Sequence, residues 1–235
     1  LFEGCDGECL PKGDLKETET PQSDSMTVFG EYASADDVSY YCNLNKLSMN
    51  GFFTAVFGLV LSKFTRKERS VFATIYNGRN DSRTSRTVSM LVKTFPVLCD
   101  VSKEKGDTCV KDYVFDISNQ LVESMSKDIY SFSEISRAFS INADVMFAYQ
   151  GEDFVFDSLC GEKATLIDLR LDEIKAPLNL NVFIEKGKIK YFCEYRKDKF
   201  SKNFMESFLD AYDMAVCEFL KKQSVRQVSC VSDKA

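Results

Sequence analysis

The side chains that could do chemistry here are thiols, guanidinium groups, amines and carboxylates, because the 235-residue chain contains no histidine. That absence excludes a Ser-His-Asp or Cys-His nucleophile, an imidazole general base and a histidine metal ligand from this chain alone. Nine cysteines stand at positions 5, 9, 42, 99, 109, 160, 193, 217 and 230. Their share falls well short of the roughly 8–10% of a disulfide scaffold, and their count is odd. Cys42, Cys99, Cys193 and Cys217 sit inside apolar patterns and read as buried thiols of a reducing cytoplasm. Cys5 and Cys9 have the C-x-x-x-C spacing of half a metal site, but no second pair lies nearby, so a plain structural role stands beside that reading. Arg79 closes the phrase Tyr76-Asn77-Gly78-Arg79 after an apolar run, and taken alone it is an arginine capping a turn. Glu152, Asp153 and Asp157 share a loop with no visible partner and read as surface acids. Gly78 and Gly187 are turn glycines, and no Gly-rich phosphate loop exists.

The elements that must position these groups follow from periodicity. Residues 1–25, rich in Gly, Glu, Asp, Lys, Thr, Pro and Ser, read as a linker or extended arm. A short strand is expected from Met26 to Tyr32. A helix capped by Ser34 follows, with Asp37 as a short-armed capping box and Val38, Tyr41, Cys42 and Asn45 inward. Phe52, Phe53, Val56, Phe57, Val60, Leu61 and Phe64 form one wide apolar stripe at helical period, while Ala55, Gly58, Leu59 and Ser62 keep the other face small. This predicts a mostly buried helix and a core stripe, not a cofactor cage.

Val71 to Tyr76 reads as a strand, residues 80–87 as a polar loop, and Val88 to Val97 as a second strand ended by Pro96 and Asp100. A helix near Thr108 with Val110, Tyr113, Val114, Ile117, Leu121 and Met125 inward comes next, then a short one around Phe132 to Phe139. Strands follow at Asp144–Gln150 and Ala164–Leu171. A hairpin then turns at Glu185-Lys186-Gly187-Lys188, between Leu178–Ile184 and Ile189–Tyr195. The last helix runs from the cap Ser201 to Lys222, with residues 223–235 as a polar tail.

Composition bounds the rest. With 30 basic and 36 acidic residues the net charge is −6, and no basic cluster gives a nucleic-acid footprint. No apolar run reaches the roughly 18 residues of a membrane span. The start Leu1-Phe2-Glu3 shows no basic-then-apolar signal segment, and Leu1, not being an initiator Met, suggests a chain cut from something longer. The hydrophobic share of 44% and this length support a sizeable core.

Local phrases add a resemblance. Ser70 to Arg79, SVFATIYNGR, directly after a buried helix ending LSKFT, is similar to the strand and Tyr-x-Gly-Arg turn of nonribosomal peptide synthetase condensation domains. Val88-Ser89-Met90-Leu91-Val92-Lys93-Thr94-Phe95-Pro96 resembles that family's Val-Gly-x-Phe-Val-Asn-Thr-x-Pro, with Ser89 for Gly and Lys93 for Asn. Tyr130-Ser131-Phe132 only echoes the family's His-Gln-Asp-Tyr-Pro-Phe-Glu. Val145 to Gln150 looks like the strand after it, and Tyr195 to Phe200 resembles the Tyr-x-x-Asp-Leu-Phe before the final helix. The phrases span residues 26–222 in unbroken order.

The resemblance implies an α/β fold, a chloramphenicol-acetyltransferase-like lobe with a mixed β-sheet packed against helices. It is to the C-terminal lobe of a two-lobed V. The family's His-His-x-x-x-Asp-Gly lies on the N-terminal lobe, so this chain alone is expected to be inactive. Arg79, set by Tyr76, Asn77 and Gly78, is implied to pair across the lobe junction with the Asp of that missing motif. A planar fork suits a carboxylate. If unpaired, Arg79 should face solvent.

Lys93, Thr94, Met146 and Gln150 are implied to line the channel, although Lys93, out of pattern, also reads as an exposed strand residue. Arg83 and Arg86 either contact a carrier-protein acid or pantetheine phosphate, or are solvated loop charges. The implied partners are the missing N-terminal lobe and peptidyl carrier proteins. The carriers' phosphopantetheine arms bring the substrates, with no cofactor bound directly. The 185–188 hairpin is read as the crossover that latches onto the other lobe, an exposed ribbon when alone. The uncovered junction is expected to be apolar and to support a homodimer. A non-catalytic carrier-protein-binding or scaffold module and a lobe of a CoA-dependent acyltransferase are the competing readings.

Overall fold

The computed structural model describes residues 2–5, 7, 9–18, 21–79, 82–84, 86–102, 107–127, 129–142, 144–152, 158–163 and 176–231. Its elements are β1 (Ser23–Phe29), α1 (Ala35–Asn45), α2 (Met49–Thr65), β2 (Arg69–Tyr76), β3 (Lys93–Asp100), α3 (Val110–Ser126) and α4 (Phe132–Phe139). Then come β4 (Val145–Glu152), β5 (Ser158–Leu159), β6 (Glu162–Lys163), β7 (Leu178–Glu185), β8 (Lys188–Arg196), α5 (Lys202–Lys221) and a 3-10 turn at Val225–Gln227. Six strands form one mixed sheet in the order β1-β8-β7-β4-β2-β3. β2–β4 and β4–β7 pair parallel, while β2–β3, β7–β8 and β1–β8 pair antiparallel.

The helix α2 is buried from Gly51 to Ser62 because it lies between the sheet and the helices α3 and α5. Phe57 shows why so many rings are needed. It stacks on Phe147 of β4 at 4.7 Å and meets Phe72 of β2, Phe208 and Tyr212 of α5 edge-on. Burying one such ring contributes about 1.5–3 kcal/mol. Gly58 lets the helix approach β3, since a Cβ there would stand 2.1 Å from Cys99 Sγ. The Ser34–Asp37 capping box forms as its spacing predicts, with Asp37 N donating to Ser34 Oγ at 3.1 Å and Ser34 N to the Asp37 carboxylate at 3.2 Å.

Asp213 of α5 is buried and satisfied. Its carboxylate accepts the Tyr191 hydroxyl at 2.6 Å and the backbone N–H groups of Glu31 and Tyr32 at 2.7 and 3.1 Å. It thereby ends β1 at Phe29, where the alternation predicted a strand reaching Tyr32.

The second strand of the 71–97 region also differs from expectation. β3 begins at Lys93, not Val88, and runs through Pro96 to Asp100. Tyr76 opposite Lys93 is the last register pair, so the chain from 88 to 92 has no strand to join. Val88 is wholly exposed despite its apolar type. Pro96 is tolerated inside β3 because this is an edge strand. Gln120 of α3 reaches that edge: its Oε1 accepts Leu98 N at 2.8 Å and its Nε2 donates to Leu98 O at 2.9 Å.

The 185–188 hairpin is not an exposed ribbon. Both strands lie inside the sheet, because β1 pairs with β8 and covers it, and Gly187 O accepts Ala35 N at 3.3 Å. The N-terminal arm is extended, yet it packs on the fold: Cys9 is buried and its Sγ accepts Val71 N at 3.0 Å. The C-terminal segment is likewise not wholly polar or loose. Val225 and Val228 are buried, and Val225 N donates to Thr108 O at 3.2 Å. The strand expected at Ala164–Leu171 lies outside the described residues, as do Asp153 and Asp157.

Candidate functional site

The candidate site grows from the end of β2. Tyr76 is buried with its ring 5.5 Å from Phe95. Asn77 Oδ1 accepts Arg79 N at 3.0 Å, a side chain imitating a turn. Gly78 sits at φ +68°, and a Cβ there would meet Leu91 O at 1.9 Å, so glycine is required on both counts. The turn aims the Arg79 guanidinium back along its own loop. Nη1 donates to Thr84 O at 2.6 Å and Thr87 O at 2.9 Å, and Nη2 to Ser89 O at 3.1 Å.

Arg79 is therefore half-buried and occupied by three carbonyls, not turned out to solvent as expected of an unpaired junction arginine. Among the described residues the turn-capping role is the one it performs. Arg86 is exposed beside a shallow groove that Arg79 and Met90 also line. Arg83 lends its carbonyl to Thr87 Oγ1 at 3.1 Å.

Three of the four expected channel residues meet. Lys93, Thr94 and Met146 line one cavity of about 720 Å³, whose other wall is Ile129 to Glu134. Thr94 and Tyr130 are shared with a neighbouring cavity of about 300 Å³ that also reaches Tyr76 and Pro96. Gln150 does not join them. It lies farther along β4, where its Nε2 donates to Asn181 Oδ1 at 3.0 Å.

The Tyr130–Glu134 wall was legible only as a faint echo, although Ser131-x-x-Glu134 is a capping box in its own right. Ser131 N donates to Glu134 Oε2 at 2.8 Å and Ser131 Oγ to the same oxygen at 2.7 Å. The Ser131 hydroxyl and backbone hold the Glu134 carboxyl below its ordinary value.

This cavity offers hydroxyls, one lysine and a carboxylate already committed to a helix cap. Among the described residues that line it there is no thiol to act as a nucleophile. Cys9 spends its sulfur on Val71 N, and among the described residues no group of three His, Cys, Asp or Glu is placed to hold a metal ion. No single helix among them is long and apolar enough to cross a membrane.

Against known proteins, the family profile of the condensation domain matches residues 5–235. Bacitracin synthase 1 of Bacillus licheniformis is 20% identical over 197 residues, covering 80% of this chain and 4% of that protein. The X-domain solved in complex with OxyB from teicoplanin biosynthesis superposes with a TM-score of 0.79 at 13% identity, over 99% of this chain and 54% of that one. The four-domain nonribosomal peptide synthetase holo-AB3403, bound to AMP and glycine, gives 0.74 at 16% identity over 96% of this chain and 19% of that one. The chain thus spans about half of the solved X-domain and a small part of the synthetases. The fold is the chloramphenicol-acetyltransferase-like one those structures share. With the profile match running across nearly its whole length, the chain belongs to the condensation-domain family.

Proposed function

We propose that this chain is the C-terminal lobe of an amide-bond-forming condensation domain of the nonribosomal peptide synthetase type. It would supply one wall of the cleft in which an amine on one carrier protein attacks a thioester on another. The observation that carries this reading is the pairing of two facts: a profile match over residues 5–235 and the complete absence of histidine. The family's His-His-x-x-x-Asp-Gly must then come from an N-terminal lobe.

On this reading Lys93, Thr94 and Met146 guide a phosphopantetheine arm, and Tyr76, Asn77, Gly78 and Arg79 hold the loop that faces the other lobe. Such a wall acts by positioning, which removes the entropy of encounter from a two-substrate reaction. The atoms balance without a cofactor. The amine nitrogen forms the new C–N bond, the thioester C–S bond breaks, and the amine proton leaves with the thiol.

The test is amide formation between two loaded carrier proteins, followed by mass spectrometry. The chain alone should give no product, and adding the polypeptide encoded upstream should give it. Turnover by the chain alone, or none with both parts, would overturn the reading.

A second reading is a docking module without chemistry. The likeness to an X-domain solved with OxyB favours it. It predicts stable capture of a partner protein and no product in the same assay with both lobes present.

A further inference from the structure

A cavity of about 940 Å³ lies at the opposite end of β2 from Arg79, between the N-terminal arm and the end of α2. An eight-residue strand separates the two places by roughly 23 Å. Among the described residues four cations line it, Lys12, Arg66, Lys67 and Lys199, against one carboxylate, that of Glu17. Glu17 is already engaged, by Lys199 Nζ at 2.6 Å and by Arg196 Nη1 at 3.4 Å. Lys12 and Arg66 have no carboxylate partner among the described residues.

The cleft is built, not draped. Asp14 Oδ1 accepts Ser201 N at 2.8 Å and Leu15 N donates to Lys199 O at 3.1 Å, so the arm is fixed as one wall. The other wall is the left-handed cap at Arg66. A helix C-terminus ordinarily repels anions. Here Arg66 N and, at 3.1 Å, Lys67 N both donate to Ser62 O, which closes the first of the end carbonyls, and the cations beside the cap must outweigh the rest. Phe64, held edge-on by Phe208 at 4.9 Å, gives the cleft an apolar floor. The chain as a whole carries −6, so its long-range field disfavours anions and any binding must come from this local cluster.

We propose that this cleft is a binding site for a small multivalent anion of the phosphate class, seated between Lys12 and Arg66. Arg66 offers the planar fork that matches two phosphate oxygens, and Lys12 a movable point charge. The proposal is independent of the reading of the Arg79 end.

The test is titration of the purified full chain at low ionic strength with inorganic phosphate and with phenyl phosphate, read by amide chemical shifts and calorimetry. Saturable shifts confined to residues 12–17 and 65–67 are expected. Lys12→Glu and Arg66→Glu should each weaken binding at least about tenfold, because each reverses one of the few charges the site relies on. Lys188→Glu, at the exposed hairpin tip, should leave it unchanged. Tighter binding of phenyl phosphate assigns the site to an organic phosphoester resting on Phe64. Equal binding assigns it to the free anion. Absence of saturable shifts, or an equal loss in Lys188→Glu, overturns the proposal. Circular dichroism of each variant separates lost binding from lost fold.

Discussion

The Arg79 guanidinium donates to the carbonyl of Thr84 at 2.6 Å, so the chain leaving β2 is closed by a side chain where no strand pairing is available. Two further carbonyls, of Thr87 and Ser89, complete the clasp. The loop therefore has a local lock that is largely separate from the core.

Arg79→Ala should open that lock without unfolding the domain. The freed carbonyls are near solvent and exchange one partner for water, so global stability should fall by no more than about 1 kcal/mol. Native-state trypsin cleavage after Arg83 and Arg86 should rise several-fold, because local opening governs it. Arg79→Lys should restore only part of the protection, since an ammonium cannot fork. Cleavage at the wild-type rate in Arg79→Ala would show that the clasp does not order the loop.

Gly58→Ala should be costly despite its higher helix propensity. The new methyl would stand 2.1 Å from Cys99 Sγ and 2.4 Å from Cys99 Cβ. Such overpacking costs about 1–3 kcal/mol. Adding Cys99→Ala should recover only part of this, because the β-carbon remains. Urea midpoints of the two variants check it, and a neutral Gly58→Ala would mean that α2 slides on the sheet.

Acid should weaken the anchor of the N-terminal arm. Arg196, donating through Nε at 3.1 Å, holds the Asp198 carboxyl well below the usual carboxylate range, helped by Gln22 N at 3.2 Å and Thr18 N at 3.4 Å. A depressed folded pKa gives stability that is complete above the unfolded value near 3.9 and is lost as pH falls through the folded value. Asp198→Asn should cost about 2 kcal/mol at pH 7, a charged hydrogen-bonded group being replaced by a neutral one. Its deficit against wild type should shrink between about pH 4 and pH 2. Unfolding midpoints across that window decide the matter, and a constant deficit would contradict it.

Thiol labelling should separate the cysteines by depth. Burial pushes the Cys99 thiol up to about 12 and the Cys42 thiol up to about 11, and it raises Cys193 as well. Cys109 and Cys160 are exposed. Iodoacetamide should therefore modify Cys109 and Cys160 first, and Cys99 and Cys193 only on unfolding. Peptide mass spectrometry reads the order, and early modification of Cys99 would count against its buried place under Gly58.

Most of the fold could be read from side-chain periodicity. The Ser201 cap and the Ser34 box rest on contacts within a few residues, and the α2 stripe and the β7–β8 hairpin announce themselves by patterns that consecutive residues carry. What escaped depends on distant partners. Val88 and Met90 alternate as a strand would, yet Tyr76–Lys93 is where the ladder ends. Cys9 and Val225 look like loop residues until a neighbouring wall is present. At the candidate site, Lys93, Thr94 and Met146 were placed together by a family likeness. Arg79 shows the limit of such a likeness: residue type and position were legible, but its three carbonyl partners lie in a loop whose path no local pattern specifies.

Gln120 gives β3 the two bonds that a seventh strand would have offered at Leu98. An open sheet edge is a natural seed for edge-to-edge growth into ribbons and fibres. With a glutamine amide acting as a one-residue stopper, and Pro96 removing a donor beside it, that border is a poor template for another chain. The edge left open is β1 at the far side of the sheet, so strand-to-strand association of this domain is confined to one border, and growth that needs two open borders is disfavoured.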